Sequence, residues 1–252
     1  GTYHLFTPEL SIQVQEALGA DIIMCLDEVK GYPATRDEAL AALERTARWA
    51  ERCAKTKKKV DPALFGIVQG SMFLDLRRLS AEKLIALELD GYAIGGLSVG
   101  EPRELMIEMI EVTTPLLPEK SPRYVMGVGK PKDILDGVLR GIDLFDCVLP
   151  TRNARNGTLF TSRGTINIKN ARYRDDPDPV DPNCLCPLCK NYSRAYLRHL
   201  FQEKEIYGLR LSTLHNLVYY YQMMEHIREA VLQDKLMELA KSFSPETEED
   251  DD

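Results

Sequence analysis

Five short apolar runs, each followed by a stretch with helical periodicity, constrain this chain more than any other feature. The runs are Asp21–Leu26, Leu64–Gln69, Gly91–Gly95, Tyr124–Val128 and Leu144–Leu149. Their length and their β-branched or aromatic content suit strands covered on both faces. The intervening stretches carry helix signals. Thr7-Pro8-Glu9 is an N-cap with proline at the first helical position, and Gly19 is a stop. Thr35-Arg36-Asp37-Glu38 is a capping box that opens a helix to about Lys55, with Leu40, Leu43, Ala47, Ala50 and Ala54 expected as its buried stripe. Further helices are expected at Leu74–Leu89, Arg103–Thr113 and Lys132–Arg140.

Repeated strand–helix units require a parallel sheet, either open or closed into a barrel. A complete (β/α)8 TIM barrel needs eight units. With five present and a start almost directly on a helix cap, the expectation is a barrel lacking an N-terminal portion, with its visible part at residues 1–150. After Pro150 the pattern changes. Asn156-Gly157 signals a hairpin joining Thr151–Arg155 to Thr158–Thr161, and Gly164 offers another turn before Thr165–Ile168. A Pro/Asp-rich stretch, a cysteine cluster and helices at about Tyr192–Lys204 and Leu214–Leu239 follow. Residues 151–240 are therefore expected to form a hairpin, a metal-binding insert and C-terminal helices, and residues 241–252 an acidic, disordered tail.

No run approaches the roughly 18 apolar residues of a membrane span. Nor does Gly1-Thr2-Tyr3-His4 open a secretory signal, so the expected compartment is the cytoplasm. The net charge of −7 argues against a nucleic-acid partner only at first sight, because six acids from Glu246 to Asp252 account for nearly all of it. From Cys147 to Arg174 there are six basic residues and no acid. Local charge decides whether phosphate docks.

Cys184-x-Cys186-x-x-Cys189 with a downstream histidine reads as a closed tetrahedral zinc site, with no position left for water. His215 is the preferred fourth ligand, over His199 and His226, as a residue where a loop enters a helix. Cys25, Cys53 and Cys147 read as small buried hydrophobes. Asp146, inside the apolar run Leu144–Leu149, is the strongest catalytic candidate, because a carboxylate there is costly unless paired or used. Asp27 and Gln69 also stand at strand ends, where a barrel's mouth lies. Gly95-Gly96-Leu97-Ser98-Val99-Gly100 would let a planar ligand reach the backbone. Arg152 and Arg155 beside Asp146, with Lys130 in Gly127-Val128-Gly129-Lys130, suit phosphate contacts, against the plainer reading of a solvated basic loop.

These residues together resemble the bacterial tRNA-guanine transglycosylase family. The resemblance runs in order through LDEVKGYPA (26–34), FGIVQG (65–70), GYAIGGLSVG (91–100), RYVMGVGKPKD (123–133), FDCVLPTRNARNG (145–157), the cysteine cluster and LHN (214–216). It implies a (β/α)8 barrel with one structural Zn2+ per chain, on Cys184, Cys186, Cys189 and His215. The implied reaction exchanges guanine at the tRNA wobble position for a 7-deazaguanine, with Asp146 as nucleophile on the ribose C1′. Asp27 and Gln69 would read the base edge, the Gly96 and Leu97 backbone would take the 7-substituent, and Met126 would pack on the base face. Gly127, Val128, Gly129, Lys130, Pro131, Lys132 and Asp133, with Thr151, Arg152, Asn153, Ala154 and Arg155, would hold the anticodon loop.

The resemblance further implies a homodimer and no redox or nucleotide cofactor. Val29 and Ser98 depart from the family's usual cysteine and alanine, whereas Val99 is bacterial-like. The base expected is thus 7-aminomethyl-7-deazaguanine, with queuine the alternative. The family's Asp-Ser-Gly-Gly-Phe-Gln segment, which bears a second catalytic aspartate, is absent from these 252 residues, so weak exchange by the chain alone is expected. A non-catalytic tRNA-binding subunit is the competing class, and retention of Asp146, Asp27 and Gln69 argues against it.

Overall fold

The computed structural model describes residues 1–58 and 60–243. The acidic tail expected at 241–252 lies, from residue 244 on, outside the described residues. The chain divides into two compact units, one of residues 1–128 and 136–146, the other of residues 129–135 and 147–252.

The first unit begins with α1 (Pro8–Leu18), capped by the Thr7 hydroxyl and closed by Gly19. Strand β1 (Ile22–Met24) and α2 (Arg36–Thr56) follow, with the Thr35–Glu38 capping box formed in both directions. Next come β2 (Ala63–Val68), α3 (Leu74–Ile85), β3 (Gly91–Ile94), α4 (Arg103–Thr113) and β4 (Arg123–Val125). After α5 (Pro131–Val138), β5 (Leu144–Phe145) closes the series. The five strands are parallel and adjacent in chain order. They form a curled arc of a (β/α)8 barrel; the strand–helix alternation required the parallel pairing but not the curl. Every residue of β3 is buried, and Ile23, Leu64, Val68, Ile94 and Val125 share one apolar core with helix residues such as Ile110.

The buried face of α2 differs from the expected stripe. It presents Ala39, Ala42, Leu43, Thr46, Ala50 and Cys53, whereas Leu40, Ala47 and Ala54 are only half-buried. The physical reason is hydrogen bonding: Thr46 Oγ1 accepts from Glu28 N–H at 2.9 Å and Cys53 Sγ from Leu26 N–H at 3.5 Å. A stripe chosen by hydrophobicity alone passes over such residues.

In the second unit, residues 149–156 are not a hairpin arm. They form helix α6 (Leu149–Asn156), with proline in its first turn. Gly157, at φ +93°, is its left-handed C-cap, and its N–H donates to the Asn153 and Ala154 carbonyls. Asn-Gly serves a helix end as readily as a type I′ turn, because both need positive φ. The antiparallel hairpin is instead β6 (Thr158–Thr161) with β7 (Gly164–Asn167), turning at Ser162-Arg163.

Helices α7 (Pro187–Asn191), α8 (Arg194–Gln202), α9 (Ile206–Leu232) and α10 (Leu236–Ser242) complete the unit. The helix expected at about 192–204 is α8, the one expected at 214–239 is divided between α9 and α10, and α7 is additional; His215 sits within α9, not at a loop-to-helix junction. Leu159, Ile168, Tyr173, Val180, Leu188, Leu197 and Leu211 form this unit's own apolar core.

Candidate active site and metal centre

In the first unit the candidate base-site residues follow the ends of five consecutive parallel strands. Asp27 lies three residues beyond β1, Gln69 directly after β2, Gly95-Gly96 after β3, Met126 after β4 and Asp146 after β5. The C-terminal end of parallel strands is where side chains of separate units converge.

Asp27 is held from both sides in sequence, since the N–H groups of Leu26 and Glu28 bind residues of α2. Its carboxylate accepts a 2.6 Å hydrogen bond from Gln69 Nε2. Burial pushes the Asp27 carboxyl above the usual carboxylate range, and the Gln69 bond offsets part of that rise. Gln69 is itself buried, with its backbone N–H bonded to Ser80 Oγ. Gly96 must be glycine: φ is +65°, and a Cβ there would stand 2.7 Å from Gln69 Oε1.

Arg77 of α3 is a site residue that the sequence pattern does not single out. It is fully buried and donates to the carbonyls of Ser71 (2.8 Å), Gly95 (3.0 Å) and Gly96 (3.5 Å). Burial pulls its pKa down to about 10, so it remains a cation at neutral pH. Its position on one helical stripe with Ser80, Ala81 and Leu84, all buried, is the signal that could have revealed it. Leu97 is buried, and Glu101 accepts the Ser98 and Val99 N–H groups.

The Asp146 carboxylate is exposed. Its Oδ1 accepts from the Tyr124 hydroxyl at 2.5 Å and from Gly127 N–H at 2.8 Å. Oδ2 takes no bond from the described residues. Burial, and then the neighbouring carboxylate, push the Tyr124 phenol well above its ordinary range, so it stays a donor. Such a carboxylate has one oxygen fixed and one presented. Tyr124 too carries no sequence signal beyond that of a strand residue; its position two residues before Met126, on the same face, is the available hint. Met126 is half-buried, Gly127 exposed and Val128 part of the apolar core.

The second unit holds the remaining candidates. Lys130 and Lys132 are exposed, Pro131 and Asp133 buried. Asp133 has partners of its own. In α6, Arg152 and Arg155 are exposed, Thr151 and Asn153 half-buried and Ala154 fully buried.

Cys184, Cys186, Cys189 and His215 bring their ligand atoms within 4.8 Å of one another. His215 Nδ1 lies 3.5 Å from Cys186 Sγ and 3.4 Å from Cys189 Sγ. Its Nε2 is 2.8 Å from the Phe160 carbonyl, which assigns the proton to Nε2 and leaves the Nδ1 lone pair for a metal. Three soft thiolates and one oriented imidazole in a buried pocket fit a tetrahedral d10 cation. The cluster can therefore hold a metal. Cys25 and Cys53 are buried as expected, whereas Cys147 is only half-buried.

Asn216, next to His215, is a further residue that sequence reasoning misses. Fully buried, it accepts from Phe160 N–H at 3.1 Å and donates to the carbonyls of Pro150 (2.9 Å) and Thr158 (3.1 Å). One turn on, the Tyr220 hydroxyl donates to the Gly129 carbonyl at 2.7 Å. Helix α9 thereby carries a candidate metal ligand and bonds both basic segments of this unit.

Comparison with known proteins follows the same lines. A family model described as Queuine tRNA-ribosyltransferase matches residues 1–249. The proteins of that name from Desulforamulus reducens and Halothermothrix orenii are 53% and 54% identical over 243 residues, and the one from Caldanaerobacter subterraneus is 55% identical over 244. Each match covers 96% of this chain but only 65–66% of the relative, so the chain spans slightly less than two-thirds of their length. Among the described residues no helix is long and apolar enough to cross a membrane.

Proposed function

This chain belongs to the queuine tRNA-ribosyltransferase family, and from that premise we propose that it carries the nucleophile and much of the base site of a tRNA-guanine exchange enzyme. The observation that carries the reading is Asp146, whose Oδ1 is held by Tyr124 and Gly127 while Oδ2 is presented. Oδ2 attacks the ribose C1′ at the wobble guanosine. The O–C1′ bond forms as the C1′–N9 bond breaks, and the electron pair leaves on guanine N9, which takes up a proton. The incoming 7-deazaguanine loses its proton at the corresponding nitrogen, attacks C1′ from the vacated face and releases the carboxylate. Two displacements give net retention.

The Asp27–Gln69 pair reads the base edge, the Gly96–Leu97 backbone takes the 7-substituent and Met126 packs on the ring. Lys130, Lys132, Arg152 and Arg155 carry the positive charge for the anticodon-loop phosphates. Cys184, Cys186, Cys189 and His215 hold one zinc ion, which supplies structural cross-linking and, with four protein ligands, no open position for water. The enzyme acts in the cytoplasm as a homodimer, and the incoming base is 7-aminomethyl-7-deazaguanine, since Val99 narrows the pocket. Comparing binding of that base and of queuine to wild type and Val99→Gly tests this choice, and preference for queuine by wild type refutes it.

The chemistry is tested by mixing the chain with tRNA and looking for an adduct that survives denaturing electrophoresis. Asp146→Asn should lose the adduct while retaining tRNA binding. An adduct of undiminished yield in that variant overturns the assignment. Metal analysis of reduced protein should return one zinc per chain.

A further inference from the structure

The acid-free stretch from Cys147 to Arg174 is only partly accounted for by α6. Arg152 and Arg155 lie on that helix, whereas Arg163, Lys169, Arg172 and Arg174 follow it. Lys169 stands over the Phe201 ring at 5.9 Å. Arg163 and Arg172 instead line, with Arg194, a cavity of about 320 Å³ within the second unit. Among the described residues that line it there is no acid.

Each guanidinium is brought there by a different element. Arg163 stands exposed at the β6–β7 turn, and its guanidinium has no partner among the described residues. Arg172 belongs to the single 3-10 turn Ala171–Tyr173. Its Nη2 donates to the Tyr173 hydroxyl at 2.8 Å, and its guanidinium carbon is 4.8 Å from that ring's centroid. Arg194 opens α8, where Nη1 pairs with Asp176 at 3.0 Å and Nη2 donates to the Val180 carbonyl at 3.2 Å. Its Nε is buried without an acceptor, and its guanidinium carbon is 5.7 Å from the same Tyr173 ring. One tyrosine thus holds two like charges no more than about 10.5 Å apart. Cations gathered around a cavity without a carboxylate in its wall repel one another, and an anion in the cavity reverses the sign of that energy. Thr165 also lines the cavity, and its hydroxyl has no partner among the described residues. A planar carboxylate is satisfied by one guanidinium fork. Three forks and a hydroxyl, coming from separate elements, suit the tetrahedral oxygens of a phosphate group.

We infer that this cavity is a phosphate-binding site, separate from the segments assigned to the anticodon loop, in which Arg163, Arg172, Arg194 and Thr165 hold one phosphate group. Two sources share that chemistry, the tRNA backbone outside the loop and free phosphate. Position favours the tRNA: β6 starts directly after the Gly157 cap of α6 and reaches Thr161, a lining residue, in four steps of about 3.3 Å, or roughly 13 Å. That choice of source rests on the tRNA reading above, whereas the phosphate site itself does not.

The test titrates inorganic phosphate, at constant ionic strength, into the full chain as wild type, Arg163→Ala, Arg172→Ala and the α6 double variant Arg152→Ala/Arg155→Ala. Wild type should bind phosphate in the millimolar range or tighter. Arg163→Ala and Arg172→Ala should each weaken binding by about 10-fold or more, the loss of a charge-assisted bond, while the α6 double variant keeps it. Because Arg163 has no partner in the fold, Arg163→Ala decides the matter even if Arg172→Ala unfolds. Phosphate binding that is absent from wild type, or equal in wild type and Arg163→Ala, overturns the site. A second arm measures affinity for whole tRNA against salt. If the phosphate is the tRNA's, Arg163→Ala lowers the slope of log affinity against log salt by about 0.7–0.9. An unchanged slope beside lost phosphate binding assigns the site to free phosphate and overturns the tRNA source. Failure of wild type to bind tRNA at all refutes the tRNA reading, and the phosphate titration still decides the site.

Discussion

Replacing Asn216 by leucine tests how the metal centre and the basic helix of the second unit are joined. The side chain is fully buried and satisfies three backbone groups, Phe160 N–H, Pro150 C=O and Thr158 C=O, at 2.9–3.1 Å. Leucine has nearly the same shape and offers none of these bonds. Each buried polar group left unpaired costs about 1–3 kcal/mol, so the three lose roughly 3–9 kcal/mol. Burying the extra apolar surface of leucine returns about 1.5–3 kcal/mol. Taking the middle of each range, a net destabilisation of about 4 kcal/mol follows, a large fraction of the 5–15 kcal/mol typical of a folded domain. The assay is urea titration of protein loaded with zinc, with release of the metal to a chromophoric chelator as the signal. At a urea slope of about 2 kcal/mol per molar, the midpoint should fall by roughly 2 M. Asn216→Asp should not rescue it, because a carboxylate can accept from Phe160 but would face two carbonyls as a third negative pole. A leucine variant within about 0.5 kcal/mol of wild type would show that these bonds contribute little, and the coupling between cluster and helix would have to be abandoned.

Other consequences are as direct. Asp27, whose pKa burial raises, stabilises the fold most when protonated, and that contribution is lost as pH rises from the unfolded-state pKa through the higher folded-state value. Asp27→Asn should therefore raise the melting temperature at pH 7, with the gain vanishing in acid, while weakening base binding; a lowered melting temperature at pH 7 contradicts the sign. Replacing Arg152 and Arg155 with alanine should weaken binding to an anticodon stem-loop and flatten the plot of log affinity against log salt by about 0.7 for each phosphate no longer neutralised. An unchanged slope would remove α6 from the RNA interface. Cys186→Ser should abolish zinc retention and lower the helical signal of the second unit, and stoichiometric zinc in that variant would refute the ligand set.

What the sequence by itself determined was local or strongly typed. The caps at Thr7 and Thr35 form as their motifs require, because a hydroxyl three residues from an open N–H needs nothing else. The strand–helix alternation required parallel pairing, and with it came the succession of Asp27, Gln69, Gly96, Met126 and Asp146 beyond successive strand ends. Thiols spaced as Cys184, Cys186 and Cys189 mark a group able to hold a metal whatever the fold. Tertiary structure decided the rest. Asn156-Gly157 was equally good for a turn or a helix cap, and only the packing of α6 selected the cap. The buried face of α2 was chosen by Thr46 and Cys53 bonding a strand-end loop, an arrangement that no periodicity encodes. Arg77, Tyr124 and Asn216 were invisible for the same reason. Each polar side chain satisfies backbone or carboxylate groups between 6 and 66 residues away, and a buried polar group is defined by its partners, which only the folded chain brings within reach.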